Sequence, residues 1–312
     1  MIEAEALTKV FGDFHAVDNV TFRVDAGSVF AVLGPNGAGK TTTVRMLTSI
    51  LKPTSGWARV AGYDVVQQPA EVRASVGVLT EQHGLYERMR ALDYLDFFGR
   101  LYALDRQYVK RRSLELMERF GLTDALGKRL GEYSKGMKQK LALVRAMLHD
   151  PLVLLLDEPT SAMDPQSAKL VRDAIVELQR DKRTVILTTH NLAEAEALAD
   201  SIAVVRRGRF IATGSVSDLR RRFVGQPEMH LQLAGPLNGT ADALGDLLTI
   251  SSSGPDWLRY KTDDARALNP LLLRRLAERQ IDVVTLSEVS QSLETVYLQI
   301  VAEDELKTGS RL

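Results

Sequence analysis

Gly34-Pro35-Asn36-Gly37-Ala38-Gly39-Lys40-Thr41 is a complete GxxxxGKT phosphate loop, set between an apolar strand at Val29 to Leu33 and an apolar-periodic helix opening near Lys40. The glycines let the backbone curl so that successive N–H groups point inward, and the helix that follows adds the positive end of its dipole to the same pocket. Such a concave nest suits a triphosphate. Lys40 is expected to reach the β- and γ-phosphates as a mobile point charge, and the Thr41 hydroxyl to hold the magnesium that bridges them. The segment therefore predicts nucleoside triphosphate binding and, from its strand–loop–helix context, an α/β fold.

At 312 residues the chain exceeds the ~150 of a typical domain, so one large or two unequal domains are expected. Forty basic residues against forty acidic ones give a formal net charge of zero, which argues against a nucleic-acid binder acting through a global basic field. The arginines at 206, 207, 209 and 220 to 222 leave a local anionic contact open beside the simpler reading of a solvated face. There is no cysteine, which excludes a disulfide framework and a thiolate metal site. Glu3, Glu5 and Lys9 interrupt the first ten residues, unlike the apolar core of a signal peptide. No apolar run approaches the ~18 residues of a spanning helix, so the chain is not expected to cross a membrane.

Outward from the loop, strands are predicted at Ile2 to Leu7, Val20 to Val24, Trp57 to Val60 and Val76 to Leu79. From about Leu92 to Asp150 the apolar spacing turns helical, as in Leu92, Leu95, Phe98, Leu101 and Leu104. Strand signals return at Val153 to Leu156, Thr184 to Thr188 and Ile202 to Val205, with a helix over Gln166 to Gln179. Alternating strands and helices imply a mostly parallel, covered sheet. Beyond Arg220-Arg221-Arg222 and the Gly225-Gln226-Pro227 break, the order reads βαββαβ. Strands there are expected around Met229 to Leu233, Leu248 to Ser251, Trp257 to Tyr260 and Val283 to Leu286, with helices at Ala241 to Leu248 and from Asn269-Pro270. That order matches a small split-βαβ domain, closed by a helix with Leu293, Val296, Tyr297, Ile300 and Val301 on one face.

A second constellation stands about 120 residues after the phosphate loop: the apolar strand Pro151 to Leu156 ends in Asp157 and Glu158. Strand ends are where open sheets bind ligands. Asp157 is placed to hold magnesium and Glu158 to polarise an attacking water as general base.

Taken in series, Asp157-Glu158-Pro159-Thr160-Ser161-Ala162-Met163-Asp164 resembles the Walker B and D-loop of the ATP-binding subunits of ABC transporters. Tyr133-Ser134-Lys135-Gly136-Met137-Lys138-Gln139 is similar to the YSKGMKQ variant of that family's LSGGQ signature, with Lys135 for a glycine and Met137 for a glutamine. Ile186 to His190 resembles the switch-histidine strand. Phe11 occupies the place of the family's adenine-stacking aromatic; a core phenylalanine is the alternative. The Q-loop glutamine should follow Leu79, where Thr80-Glu81-Gln82-His83 stands; whether Glu81 or Gln82 takes its role at the metal or water stays open.

The resemblance covers residues 1 to about 220. It implies a P-loop ATPase core with a mostly parallel sheet, an antiparallel β edge subdomain and a helical insert at about 86–150, together making a nucleotide-binding domain over 1–222. Residues 223–312 resemble the accessory α+β extension of drug-exporter-like subunits, with a role in regulation, dimerisation or partner binding left open. It further implies ATP and Mg2+ as cofactors. Gly34, Pro35, Asn36, Gly37, Ala38, Gly39, Lys40, Thr41 and Thr42 would contact the nucleotide, and Ser134 and Gly136 would reach it from a second copy; Glu158 and His190 would be catalytic.

Two copies would face head to tail, sited at the cytoplasmic face of the membrane beneath a separate polytopic permease, with no nucleic acid expected. Leu85, Tyr86, Met89 and Tyr94 would meet that partner or pack the insert's own core. The function so implied is ATP-driven export. The alternative, a soluble ABC-type mechanoenzyme of translation or DNA repair, is opposed by the single phosphate loop and by an insert too short for a long coiled coil.

Overall fold

The computed structural model describes residues 1–80, 84–161, 163–237, 244, 247–289 and 292–309. The chain divides into two compact units, Met1–Val216 and Ser217–Leu312.

The first unit is built on two sheets. Strands β1 (Ile2–Phe11) and β2 (Phe14–Val24) form an antiparallel hairpin, with β4 (Ser55–Val60) and β5 (Tyr63–Asp64) completing the order β2-β1-β4-β5. The larger sheet has the order β10-β9-β3-β8-β7-β6. Its members are β3 (Val29–Leu33), β6 (Val76–Leu79), β7 (Val153–Asp157), β8 (Thr184–Thr189), β9 (Ser201–Arg206) and the edge strand β10 (Arg209–Gly214). All pairings from β9 to β6 are parallel; only β10 runs antiparallel. Every residue of β3, β7 and β8 is buried, as a sheet covered on both faces requires.

Between the sheets one apolar core joins Ile2, Leu7 and Phe22 of the antiparallel sheet to Phe30, Leu155 and Ile186 of the parallel one. The Phe22 and Phe30 rings stack there at 5.3 Å. Burying such rings stabilises the fold by roughly 1.5–3 kcal/mol each, enough to lock the two sheets face to face. Helices α1 (Lys40–Leu47), α2 (Pro69–Ser75), α6 (Pro165–Arg180) and α7 (Leu192–Leu198) connect the strands. The helical insert comprises α3 (Ala91–Leu101), α4 (Arg106–Arg119) and α5 (Lys135–Met147). Side chains end these helices where the sequence allows: Asp105 Oδ1 accepts from Gln107 and Tyr108 N–H at the start of α4, and Ser134 Oγ from Met137 N–H at the start of α5.

Helix α8 (Val216–Phe223) starts at the last residue of the first unit, and the rest of it belongs to the second. The sheet of the second unit contains β11 (Glu228–Leu233), β12 (Thr249–Ser253), β13 (Trp257–Lys261) and β14 (Val283–Glu288) in the order β12-β13-β11-β14, all neighbours antiparallel. That is the strand order of a split-βαβ domain. Helix α9 (Ala265–Glu278) packs Leu272 and Leu276 into its core, and α10 (Leu293–Gly309) buries Leu293, Val296 and Ile300.

One boundary differs from expectation. Helix α9 begins at Ala265, because Asp264 Oδ1 accepts from Ala267 N–H, so Pro270 sits inside the helix and not at its start. Asn269 is not the cap either; its Oδ1 accepts a hydrogen bond from the buried Tyr260 hydroxyl at 2.6 Å. The helix expected over Ala241 to Leu248 falls largely outside the described residues.

Candidate active site

The phosphate loop leaves β3 at Gly34 and enters α1 at Lys40. Gly34 packs so tightly on β9 that a Cβ there would lie 2.3 Å from the Val205 carbonyl oxygen, so a side chain would push the loop off the sheet. Gly39 adopts φ +104°, and a Cβ there would meet the Ala16 carbonyl oxygen at 2.4 Å. Only glycine satisfies both the dihedral and the close approach.

Lys40 is buried yet fully engaged: its ammonium donates to Gly34 O at 2.7 Å and Pro35 O at 3.3 Å, and stands 3.3 Å from Glu158 Oε1. The paired charges offset much of the desolvation that a buried ammonium alone would suffer. Asp157, 2% exposed at the end of β7, accepts from Thr41 Oγ1 at 2.8 Å and from the Thr188 hydroxyl. The parallel register that pairs Asp157 with Thr188 places these two side chains together.

Glu158 sits one residue past the strand with φ +51°, an uncommon conformation for a non-glycine residue. Its neighbours over-determine that geometry. Glu158 N–H donates to Thr188 O at 3.1 Å and lies 3.2 Å from Thr188 Oγ1, while Gln139 Nε2 donates to the carbonyls of Glu158 at 3.0 Å and Pro159 at 2.6 Å. The held backbone turns the carboxylate toward the loop. Glu158 Oε2 lies 2.9 Å from His190 Nδ1, and Oε1 makes no hydrogen bond although the Lys40 ammonium is near. The contact brings the imidazole and the carboxylate together at the groove, with the His190 side chain 57% accessible.

Phe14, Ala16, Asn36, Gly37, Gly39, Lys40, Thr41, Thr42, Glu158, Ser161 and His190 line one groove of about 480 Å³. The structure thus brings together the phosphate loop, the second acid of the β7 end and the switch histidine. Ser134 and Gly136 stand outside its walls, at the start of α5, where Gly136 faces open space. Phe11 is about half exposed, with the Lys9 ammonium 5.0 Å above its ring. Its hairpin partner Phe14, 62% exposed, is the aromatic on the groove wall. Pro35 is present through its carbonyl, and the buried Ala38 carbonyl accepts from Gly208 N–H, tying the loop to the β9–β10 turn. Glu81 and Gln82 lie outside the described residues.

Asp164 caps α6, its Oδ1 accepting from Ser167 N–H at 2.9 Å. That bond, aided by the Ser167 hydroxyl, holds its carboxyl below the usual carboxylate range.

Three contributors have no reading from sequence alone. Thr188 looks like any β-branched strand residue, Gln139 like any polar residue of a helix, and Phe14 like a turn residue. Gln139 lies inside the YSKGMKQ resemblance and Thr188 inside the Ile186 to His190 resemblance, but neither gave the residue a contact of its own, and Phe14 lies in none.

Similarity to known proteins decides the family. A family model described as ABC transporter matches residues 17–161. Daunorubicin resistance ATP-binding protein DrrA3 of Streptomyces coeruleorubidus is 38% identical over 306 residues, 97% of this chain and 96% of that protein. The chain belongs to the ABC transporter family. It is an ATP-binding, ATP-hydrolysing subunit of that family. ABC transporter ATP-binding protein NatA of Bacillus subtilis (strain 168) is 43% identical over 205 residues, 65% of this chain and 83% of that protein. Among solved structures, an ATP-binding subunit of an ABC transporter is 31% identical with a TM-score of 0.68, covering 72% of this chain and 94% of its own. The ABC cassette fold is shared further with the dimeric post-hydrolysis state of MJ0796 bound to ADP and Pi, at 22% identity and TM-score 0.64, over 69% of this chain and 98% of that one. None of these relatives is named for translation or DNA repair, so the mechanoenzyme reading has no support from them. Among the described residues, no helix of this ABC subunit is long and apolar enough to cross a membrane.

Proposed function

We propose that this ABC subunit powers export of a drug-like or lipid-like substrate through a separate polytopic permease, working as a head-to-tail homodimer at the cytoplasmic face of the membrane. Residues 1–222 form the nucleotide-binding domain in this reading, and 223–312 an accessory domain. The observation that carries it is the chain of contacts Lys40–Glu158–His190 on one groove, with Thr41 on the same wall hydrogen-bonded to the buried Asp157. DrrA3, which matches nearly the whole chain, is a daunorubicin resistance ATP-binding protein, and that supports the export sense.

The donor set fits a magnesium–triphosphate. Thr41 and Asp157 bring a hydroxyl and a carboxylate within 2.8 Å, the sparse oxygen set that a magnesium sharing substrate phosphates requires. Among the described residues no cluster of three His, Asp or Glu side chains exists to hold a metal without those phosphates. When bound, the ion would neutralise charge developing on the β- and γ-phosphates.

The remaining work belongs to the chain. Lys40 exchanges its Glu158 contact for the γ-phosphate, which frees Oε1 to take a proton from the attacking water. His190 orients the carboxylate through Nδ1 and offers Nε2 to the γ-phosphate. Ser134 and Gly136 of the second copy complete the site. Loss of the γ-phosphate contacts removes the differential binding that holds the dimer closed.

Glu158→Gln should lower kcat at least about 10²-fold while sparing ATP binding, because it removes a proton acceptor and leaves the cradle intact. Hydrolysis at the wild-type rate would refute the base assignment. Tagged Glu158→Gln protein, recovered from its own cells in detergent with ATP, should bring down a stoichiometric polytopic membrane protein. Recovery of ribosomes or nucleic-acid enzymes would refute the transport reading.

A further inference from the structure

Among the described residues only two acids are buried, Asp157 and Glu194, and the mechanism above uses only the first. Glu194 is 2% exposed in the first turn of α7, where its N–H donates to the capping Asn191 Oδ1 at 3.2 Å. The positive end of the helix dipole favours a carboxylate at this place. Each of its oxygens receives one hydroxyl: Thr160 Oγ1 donates to Oε1 at 2.7 Å, and Thr189 Oγ1 to Oε2 at 2.6 Å. Thr189 Oγ1 also accepts from Asn191 N–H at 3.0 Å, and because a carboxylate only accepts, its own proton is the one given to Glu194.

The two threonines sit at informative positions. Thr160 is two residues after Glu158, and Thr189 immediately precedes His190. A single buried carboxylate therefore ties together the two chain segments that carry the 2.9 Å Glu158–His190 contact. A rigid link matters there, because Glu158 is held at φ +51° and His190 lies on an exposed turn, with its side chain 57% accessible.

We propose that Glu194 is a positioning residue: by clamping Thr160 to Thr189 it holds the general base and the switch histidine in register, and couples the D-loop to the histidine turn. The inference rests on the roles given above to Glu158 and His190. It is a claim about hydrogen bonding and not about charge. A glutamine fits the same space, can accept from Thr189 through its carbonyl and donate to Thr160, whose hydroxyl is free to reverse. A leucine of similar size can do neither.

The test is steady-state MgATP hydrolysis by the full chain carrying Glu194→Gln, Glu194→Leu or Thr160→Val, with nucleotide affinity measured separately. Glu194→Leu should lower kcat about tenfold or more with affinity kept within about threefold, since a small misplacement of catalytic groups is costly. Glu194→Gln should restore kcat to within about threefold of wild type. Should the leucine variant fail to fold, Thr160→Val removes one arm of the clamp alone and should lower kcat without raising KM. A folded Glu194→Leu or Thr160→Val chain with wild-type kcat, or a loss confined to KM, overturns the proposal. Glu158→Gln measured alongside separates the two levels. If it hydrolyses at the wild-type rate the catalytic reading itself fails, whereas an inactive Glu158→Gln beside an unaffected Glu194→Leu sinks the clamp alone.

Discussion

Thr188 shows how much one hydroxyl can organise. It donates to Asp157 Oδ1, lies against the Glu158 N–H at 3.2 Å, and is itself wholly buried. Replacing it with valine keeps the shape and the strand propensity but leaves a buried carboxylate oxygen without its donor. Thr188→Val should therefore cost about 1–3 kcal/mol of stability, the usual range for an unsatisfied buried polar group. Urea unfolding measures that cost, and a parallel ATPase assay should show kcat falling as Asp157 loses its orientation. An unchanged unfolding midpoint would mean that a rotation of Asp157 recovers the bond elsewhere. At this scale each acid or base is placed by neighbours with no chemical role of their own in the reading: Lys40 by loop carbonyls, Asp157 by Thr188, and Glu158 by Gln139.

At the scale of elements, long apolar runs were legible and short amphipathic pieces were not. Strand β3 and the helix beginning at Lys40 stand where the spacing puts them, because five successive apolar residues have no alternative to burial. Helices α2, α7 and α8 and strand β10 have no clear reading in the sequence, being seven, seven, eight and six residues long. Pieces of that length are fixed by tertiary contacts more than by propensity.

The same logic governs β13, where Tyr260 is completely buried and burial pushes its hydroxyl up to about 12. A raised pKa stabilises the protonated phenol in the folded state. That contribution is fully present below the unfolded value of about 10 and is lost as pH rises toward 12. Stability of the second unit should thus fall over that alkaline range, and in Tyr260→Phe that pH-dependent fall should be smaller, at the expense of the bond to Asn269. Tyrosinate absorbance during an alkaline titration of both proteins checks the assignment.

At the scale of the whole molecule, the groove is the proposed half of a nucleotide site, and Ser134 and Gly136 stand outside it. A symmetric head-to-tail pair makes two equivalent composite sites. This yields a sharp expectation for mixed chains. Lys40→Ala and Ser134→Arg should each be nearly inactive alone. A mixture should regain ATPase activity, because the hybrid pair keeps one site with an intact loop from one copy and an intact α5 start from the other. No recovery on mixing, with both variants folded and able to associate, would refute composite sites.

The sequence by itself determined which loop, acids and histidine are the candidates for the chemistry. Those depend on residue type at fixed local spacing, and Gly39, Lys40, Asp157 and His190 read the same in a string as in a fold. It determined the parallel sheet as well, since fully apolar strands alternating with helices can be buried only between two layers. What only the tertiary structure decided are the contacts between residues far apart in the chain. Gln139 meeting the Glu158 carbonyl, Thr188 meeting Asp157 and Glu194 joining Thr160 to Thr189 follow from strand register and helix packing. No local pattern encodes them, because a polar side chain is indifferent to its partner until the backbone brings one within about 3 Å.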